Sequence, residues 1–350
     1  MLLGATTSPA LPALQQRATP SAFAALDLGT NNCRMLIGTP AGSGSFRVVE
    51  SFSRIVRLGE GLHTTGCLSP IAMDRALSAL DACAVRLARR QVRAVRAIAT
   101  EACRRAANGL EFLGRVKEQT GLAFTIISSR EEAELALESC SSLLAGHARR
   151  ALLFDIGGGS TELAWVRIDP AHGPALIGYA SLPVGVVTLA EKYGTARFSD
   201  AGFAAMVEDV TGRLEPFETV HCIAHEIACG GVLLLGTSGT VTTLAGVALD
   251  LPRYQRLLVD GVTLSGAEAA AAVDRLRDLG REGLERHPCV GPDRVDFVLP
   301  GCAIFAAITE MWPADEIVVA DRGLREGMLL RMMRADRARG NRTWPRPRLA

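Results

Sequence analysis

The chain has almost no lysine: of its 38 basic residues, Lys117 and Lys192 alone are not arginine. Arginine suits two-pronged contact with phosphate, although genome composition accounts for such a bias equally well. An excess of either charge is also missing. A formal net charge of +1 excludes whole-molecule attraction as the route to an anionic partner, so any polyanion site has to be built locally. No apolar run approaches the roughly 18–20 residues that span a bilayer. The nine cysteines include no Cys-x-x-Cys pair. An odd, scattered set reads as reduced thiols of a cytoplasmic protein, with Cys83 and Cys103 as small core fillers. What remains is an ordinary globular composition, 48% hydrophobic and 21% charged over 350 residues. That length exceeds what one core usually supports, so two domains are expected.

One stretch organises the rest: Leu152-Leu153-Phe154-Asp155-Ile156-Gly157-Gly158-Gly159-Ser160-Thr161-Glu162. An apolar strand ends in a carboxylate, turns through three glycines and two hydroxyls, and leaves as a second strand that begins with another carboxylate. Three glycines permit positive φ and let N–H groups crowd an anion. Asp155 and Glu162 are the hard oxygen ligands that Mg²⁺ on phosphates requires. Alone, the stretch reads first as an ordinary glycine turn between core strands, since short glycine motifs match by chance often. Its counterpart upstream removes that reading: Ala24-Ala25-Leu26-Asp27-Leu28-Gly29-Thr30-Asn31 follows the same order of strand, Asp, glycine and polar donors. The spacing, 155 − 27 = 128 residues, implies a duplicated half, with two facing hairpins clamping phosphate and metal.

The coarse element order supports this. Strands over 22–28, 34–39 and 45–55 precede a helix opened by Ser69-Pro70, a strand over 95–99, a helix from Asn108 to Gly121, a strand over 124–127 and a helix opened by Ser128 or Ser129. The second half repeats strand, glycine turn, strand and strand. Helices follow from Pro183-Val184-Gly185 to Tyr193, from Ser199-Asp200 towards Glu215, over 241–249, from Ser265 and over 302–311. The last strand is 316–320 and the last helix 323–334. The expected organisation is an α/β chain with a disordered leader over 1–21, an N-terminal lobe over 22–146, a C-terminal lobe over 147–334 and a solvated basic tail over 335–350. The helix 323–334 is placed to pack back on the first lobe. The leader carries only Arg17 and three prolines, so it does not read as a secretion signal.

A third turn, Gly236-Thr237-Ser238-Gly239-Thr240, joins a strand to a helix whose N-terminus would point N–H groups at an anion, through Ser238, Gly239 and Thr240. Thr100-Glu101-Ala102-Cys103-Arg104-Arg105 follows a buried strand, and its arginines read equally as one that reaches the cleft or as solvated charge at a helix start. At Ser128-Ser129-Arg130-Glu131-Glu132, acidic residues gather at a helix start, either as favourable charge there or as a base for an attacking water. His221 and His225 have the spacing of a zinc pair, but no stretch completes a tetrahedral set, and two helix-surface histidines near a connection is the plainer reading.

Six segments in order, Asp27–Asn31, Thr100–Ala106, Ile127–Ala133, Asp155–Glu162, Gly236–Thr240 and Asp321–Gly327, make the chain resemble the exopolyphosphatase and guanosine pentaphosphate phosphohydrolase family. That family sits within the superfold of actin, sugar kinases and heat-shock ATPases, two lobes around a cleft. The resemblance implies Mg²⁺-dependent removal of a terminal phosphate by water, Mn²⁺ being an alternative metal. It gives Glu132 the role of base, Arg104 that of a phosphate-facing arginine, and Asp27, Asp155 and Glu162 that of metal organisers. Gly29, Thr30 and Asn31 would hold phosphate from one side, and Gly157, Gly158, Gly159, Ser160 and Thr161 from the other. Asn32 and Ser129 stand where the family commonly has serine and glycine. A short form is implied, without the C-terminal histidine-aspartate domain of longer relatives, and hence with a shorter polymer groove. The leading expectation is an exopolyphosphatase. Alternatives are a guanosine pentaphosphate 5′-phosphohydrolase, a kinase of the same superfold, and a binding regulator without turnover. The partner is inorganic polyphosphate or guanosine pentaphosphate, with no membrane and no specific nucleic acid; the resemblance, rather than any feature of the sequence, implies a homodimer.

Overall fold

The computed structural model describes residues 22–144 and 148–340; the expected leader and the last ten residues of the tail lie outside the described residues. Two mixed sheets share one strand order. The first contains β1 (Ala22–Leu28), β2 (Asn32–Pro40), β3 (Phe46–Ile55), β4 (Val92–Ala99) and β5 (Phe124–Ile126), arranged β3-β2-β1-β4-β5. The second contains β6 (Arg150–Ile156), β7 (Thr161–Asp169), β8 (Gly173–Leu182), β9 (Val232–Thr237), β10 (Thr263–Ser265) and β11 (Glu316–Ala320). Its order is β8-β7-β6-β9-β11, with β10 added antiparallel at the far edge. In each sheet the first strand pairs antiparallel with the second and parallel with the fourth. These central strands, Ala22–Leu28 and Arg150–Ile156, are covered on both faces, which is why they read as apolar runs without alternation. Both carry an aspartate near the C-terminal end, the edge where open α/β sheets place their ligands.

The lobes are tied crosswise. The helix Ser129–Cys140, which follows the first sheet, buries Ala133, Ala136 and Leu137 against Ala151, Leu153 and Val166 of the second. The terminal helix Leu324–Gly340 buries Met328, Leu329 and Met333 against Phe23, Ala25 and Leu36 of the first. The two helices meet where a Cβ on Gly327 would lie 2.2 Å from the Leu135 carbonyl, so only glycine fits there. Leu329→Ala is expected to cost about 2–5 kcal/mol of stability, read as a lowered denaturant midpoint. A cost below that range would mean the terminal helix is not docked.

Several boundaries differ from the sequence reading. The helix begun at Asp200 does not stop near Glu215 but runs to His221 through Pro216. Pro216 and Gly212 are both exposed, so the carbonyl that loses its partner faces water. The helix expected from Cys302 starts at Val295 and passes through Pro300. Burial of Val295, Val298 and Leu299 in the second core outweighs the roughly 3 kcal/mol of an internal proline. The last helix continues to Gly340, into the stretch expected as tail, held by Arg93 to Asp336 at 2.7 Å. Cys83 and Cys103 are buried in the first core. Among the described residues no helix is long and apolar enough to cross a membrane.

Candidate active site

The duplicated turns meet between the lobes. Asp27 pairs across β1 and β2 with Arg34; Asp155 pairs across β6 and β7 with Glu162. One register position therefore holds a cation in the first half and a carboxylate in the second. Gly157, Gly158 and Gly159 do not use left-handed backbone, contrary to the expectation from their type. They are glycines because of close approach: a Cβ on Gly159 would lie 2.6 Å from Thr30 Oγ1, and one on Gly158 3.1 Å from the Asn31 nitrogen. The Asn31 side-chain oxygen is buried without a hydrogen-bond partner.

Four carboxyls gather here. Ser128 caps the helix Ser129–Cys140 by accepting from the Glu131 N–H, and that cap aims the next residue, Glu132, inward, where it is 6% exposed. Burial pushes the Glu132 carboxyl up to about 7, against lowering by Arg104 and with further raising by Asp27 and Asp155. Burial lifts Asp155 to about 6, opposed by Arg34 and aided by Asp27. Glu162 is held well above the carboxylate range by burial and by Glu132 and Asp155. It accepts from Ser160 Oγ at 2.6 Å and Ser181 Oγ at 3.0 Å. Asp27 is raised by burial. Like charges taken from water resist ionising together, so the cluster favours an added cation.

Arg104 donates to Glu132 Oε2 at 2.6 Å, to the Ile127 carbonyl at 2.8 Å, and to Glu101 Oε2 at 2.6 Å. It thus orients Glu132 from the helix Glu101–Arg105, an element that the sequence reading did not separate. Thr161 Oγ1 donates to the Val184 carbonyl at 2.7 Å, so this hydroxyl braces its own turn. The third turn lies beside Asp155, which pairs with Thr237 on β9, but it is shorter than expected, since Gly236 and Thr237 belong to the strand. Ser238 takes a strained φ of 130°, and its side chain accepts from the Thr240 and Val241 N–H groups. A Cβ on Gly301 would lie 2.3 Å from Thr240 Oγ1, so that hydroxyl sits against a helix. The turn's own side chains meet much of its hydrogen-bonding capacity.

Apart from Arg104, sequence reasoning missed the cations. Burial lowers Arg294 and Arg325, Arg34 adding to the lowering of both, although Glu326 lies 3.9 Å from Arg325. Arg256 donates to Glu326 Oε1 at 3.2 Å. Arg34 carried a readable signal: it follows Asp27 by 34 − 27 = 7 positions, as Glu162 follows Asp155 by 162 − 155 = 7. Arg325 lies in the quoted Asp321–Gly327 segment, and nothing in the sequence marked Arg294. The two histidines do not share one helix, and among the described residues no three His, Cys, Asp or Glu side chains group around them. Cys222, in left-handed backbone, ends one helix and starts the next. His221 packs edge-on to Phe217 with centroids 4.5 Å apart, and His225 is exposed.

Paired sheets of one order, each offering an aspartate-ended strand and a donor-rich turn to a shared cleft, define the two-lobed actin-like ATPase fold. The chain belongs to the Ppx/GppA phosphatase family, whose family model matches residues 39–336. It is 32% identical over 308 residues to the guanosine-5′-triphosphate,3′-diphosphate pyrophosphatase of Aeromonas salmonicida (strain A449), covering 88% of this chain and 58% of that protein. The chain therefore spans less than two thirds of that relative. A crystal structure of an exopolyphosphatase-like protein superposes with a TM-score of 0.80 at 26% identity, over 89% of this chain and 97% of the other. The Aquifex aeolicus member of the Ppx/GppA family gives 0.74 at 26% identity, over 93% and 100%.

Proposed function

We propose that this protein removes the terminal phosphate of inorganic polyphosphate by attack of water, with Glu132 as general base and Mg²⁺ as cofactor. The observation that carries the reading is the buried Glu132 carboxyl, raised to about 7 beside two phosphate turns. A base poised near the working pH combines the correct protonation state with a useful driving force. Glu132 would accept the proton of the attacking water at its carboxylate. Arg104, already on Glu132 Oε2, would orient that carboxylate and face the phosphoryl oxygens. Gly29 and Gly157 spend their N–H groups on the Asn32 and Ser160 carbonyls, each at 2.9 Å; the other backbone N–H groups of the two turns would hold those oxygens, supplying alignment and charge neutralisation, which is most of what phosphoryl transfer asks of a protein.

The donor set fits a hard divalent cation. Among the described residues no three His, Cys, Asp or Glu side chains form a ready metal cage. Mg²⁺, however, is commonly bound by one or two carboxylates together with waters and substrate phosphates. Asp27, Asp155 and Glu162 would hold it, where it would neutralise phosphate charge.

For polyphosphate over a nucleotide, the support is the gathering of arginines, Arg34 acting on both Arg294 and Arg325, while Arg256 is held on the Asp321 carbonyl and Glu326. Of the neighbouring aromatics, Phe297 already carries Arg57 at 5.3 Å, and Tyr254 is tied by its hydroxyl to Asp321 Oδ2 at 2.5 Å. The name of the Aeromonas relative favours guanosine pentaphosphate as a second reading. Orthophosphate release with Mg²⁺ from polyphosphate and from guanosine pentaphosphate separates them. Release from polyphosphate is expected, with KM raised about tenfold in Arg294→Ala, the size of one charge-assisted contact. Release from the nucleotide alone would install the second reading, and release from neither would remove both.

A further inference from the structure

The segment from Val56 to Gly61 contains no residue of the site, yet it is tied to both of its halves. Its Val56 and Arg57 N–H groups donate to the Asn31 carbonyl at 2.8 and 3.0 Å, and Gly59 N–H donates to the Thr30 carbonyl at 3.0 Å. It is thus bolted to the first phosphate turn. Arg75 holds its outer side, donating to the Val56 and Arg57 carbonyls at 2.9 and 3.1 Å. Arg57 sits in left-handed backbone at φ 46°, a strained conformation for a side chain of that size that persists only where the surroundings impose it.

From there the segment reaches the other lobe twice. The Arg57 guanidinium lies 5.3 Å from the Phe297 ring centroid, and Gly61 N–H donates to Glu191 Oε1 at 2.9 Å. Glu191 belongs to the helix Val186–Tyr193, whose first N–H groups, Val186 and Val187, donate to the Gly157 and Gly158 carbonyls at 3.0 and 2.8 Å. The helix is therefore bolted to the second phosphate turn. The contacts close a ring: first turn, strap, Glu191, helix, second turn, and back through the approach of Gly159 to Thr30.

We infer that this strap is a brace that sets the separation of the two phosphate turns, with Glu191 and Arg57 as positioning residues acting across the cleft. The inference rests on the hydrolase reading for its kinetic consequence and on geometry alone for its structural one. Opening the lobes requires the Gly61–Glu191 bond to break, so the brace biases the cleft towards the closed arrangement in which both turns can grip one phosphoryl group. Misplacement of such groups by about 1 Å is enough to cost on the order of 10²-fold in rate.

The test compares Glu191→Ala, which removes the acceptor, with Glu191→Gln, which keeps an oxygen in its place. Glu191 is exposed, so neither change is expected to move the unfolding midpoint. Glu191→Ala is expected to lower kcat/KM for orthophosphate release by about tenfold and to speed hydrogen exchange of the Gly61 amide by a similar factor. Glu191→Gln is expected to restore most of both. Faster exchange in Glu191→Ala with unchanged kcat/KM would overturn the positioning role. Unchanged Gly61 exchange would overturn the brace itself. An inactive wild-type protein whose Gly61 exchange still responds to Glu191→Ala would sink the hydrolase reading and leave the brace standing.

Discussion

Replacing Glu132 by glutamine is expected to leave polyphosphate binding intact and to lower turnover by about 10²–10⁴-fold, the usual contribution of a positioned base. Glutamine keeps the shape and can still accept from Arg104, now at 2.6 Å, so the surrounding helix should not rearrange. It cannot take a proton from water. It also withdraws one charge from a group of four carboxyls, which should ease the approach of a polyanion. The wild-type rate should show an acid limb, because a base raised to about 7 is progressively protonated below that pH. The limb is expected to vanish with the activity. Steady-state orthophosphate release across pH 5–9, with equilibrium binding of polyphosphate to the variant, checks both halves. A Glu132→Gln protein that turns over at the wild-type rate would remove Glu132 from the base role.

What could be read from the chain beforehand was whatever repeats or breaks a period. The aspartate-ended strands at Asp27 and Asp155 announced the duplication, and Ser69-Pro70 and Ser199 marked helix starts through cap chemistry that is local in sequence. Pro216 and Pro300 misled because tertiary burial decided those helices, and no local rule measures burial. The carboxyls were legible since they stand beside glycines and hydroxyls. The cations were not: Arg294 and Arg325 lie 325 − 294 = 31 residues apart and are brought near Arg34 only by the fold. In a chain with so many arginines, residue type carries little information. Glu191 was invisible for a related reason. Its role depends on a backbone N–H 191 − 61 = 130 positions away, and a backbone donor leaves no trace in side-chain identity.

Magnesium is expected to stabilise this protein, and to do so more at pH 8 than at pH 5. Glu132 and Asp155 have folded-state values of about 7 and about 6 against ordinary values of 4.5 and 3.8. Between those limits the folded chain keeps protons that the unfolded chain has released, so stability is lost as pH rises from about 4 to about 7. Above that window the buried carboxyls are forced to ionise beside one another, and Arg34 and Arg104 offset only part of the repulsion. A divalent cation that binds the ionised cluster restores what was lost, by about 2.7 kcal/mol at a hundredfold excess over its dissociation constant. Below the window it must compete with protons and gains little. Asp155→Asn provides the complementary sign. In the absence of metal at pH 8 it should unfold at a higher temperature than the wild type, because one of the opposed charges is gone, and it should lose the response to magnesium. Thermal midpoints of both proteins at pH 5 and pH 8, with and without Mg²⁺, give the answer independently of any substrate. An equal magnesium increment at the two pH values, or a less stable metal-free Asp155→Asn protein, would refute the assignment of this cluster as the cation site.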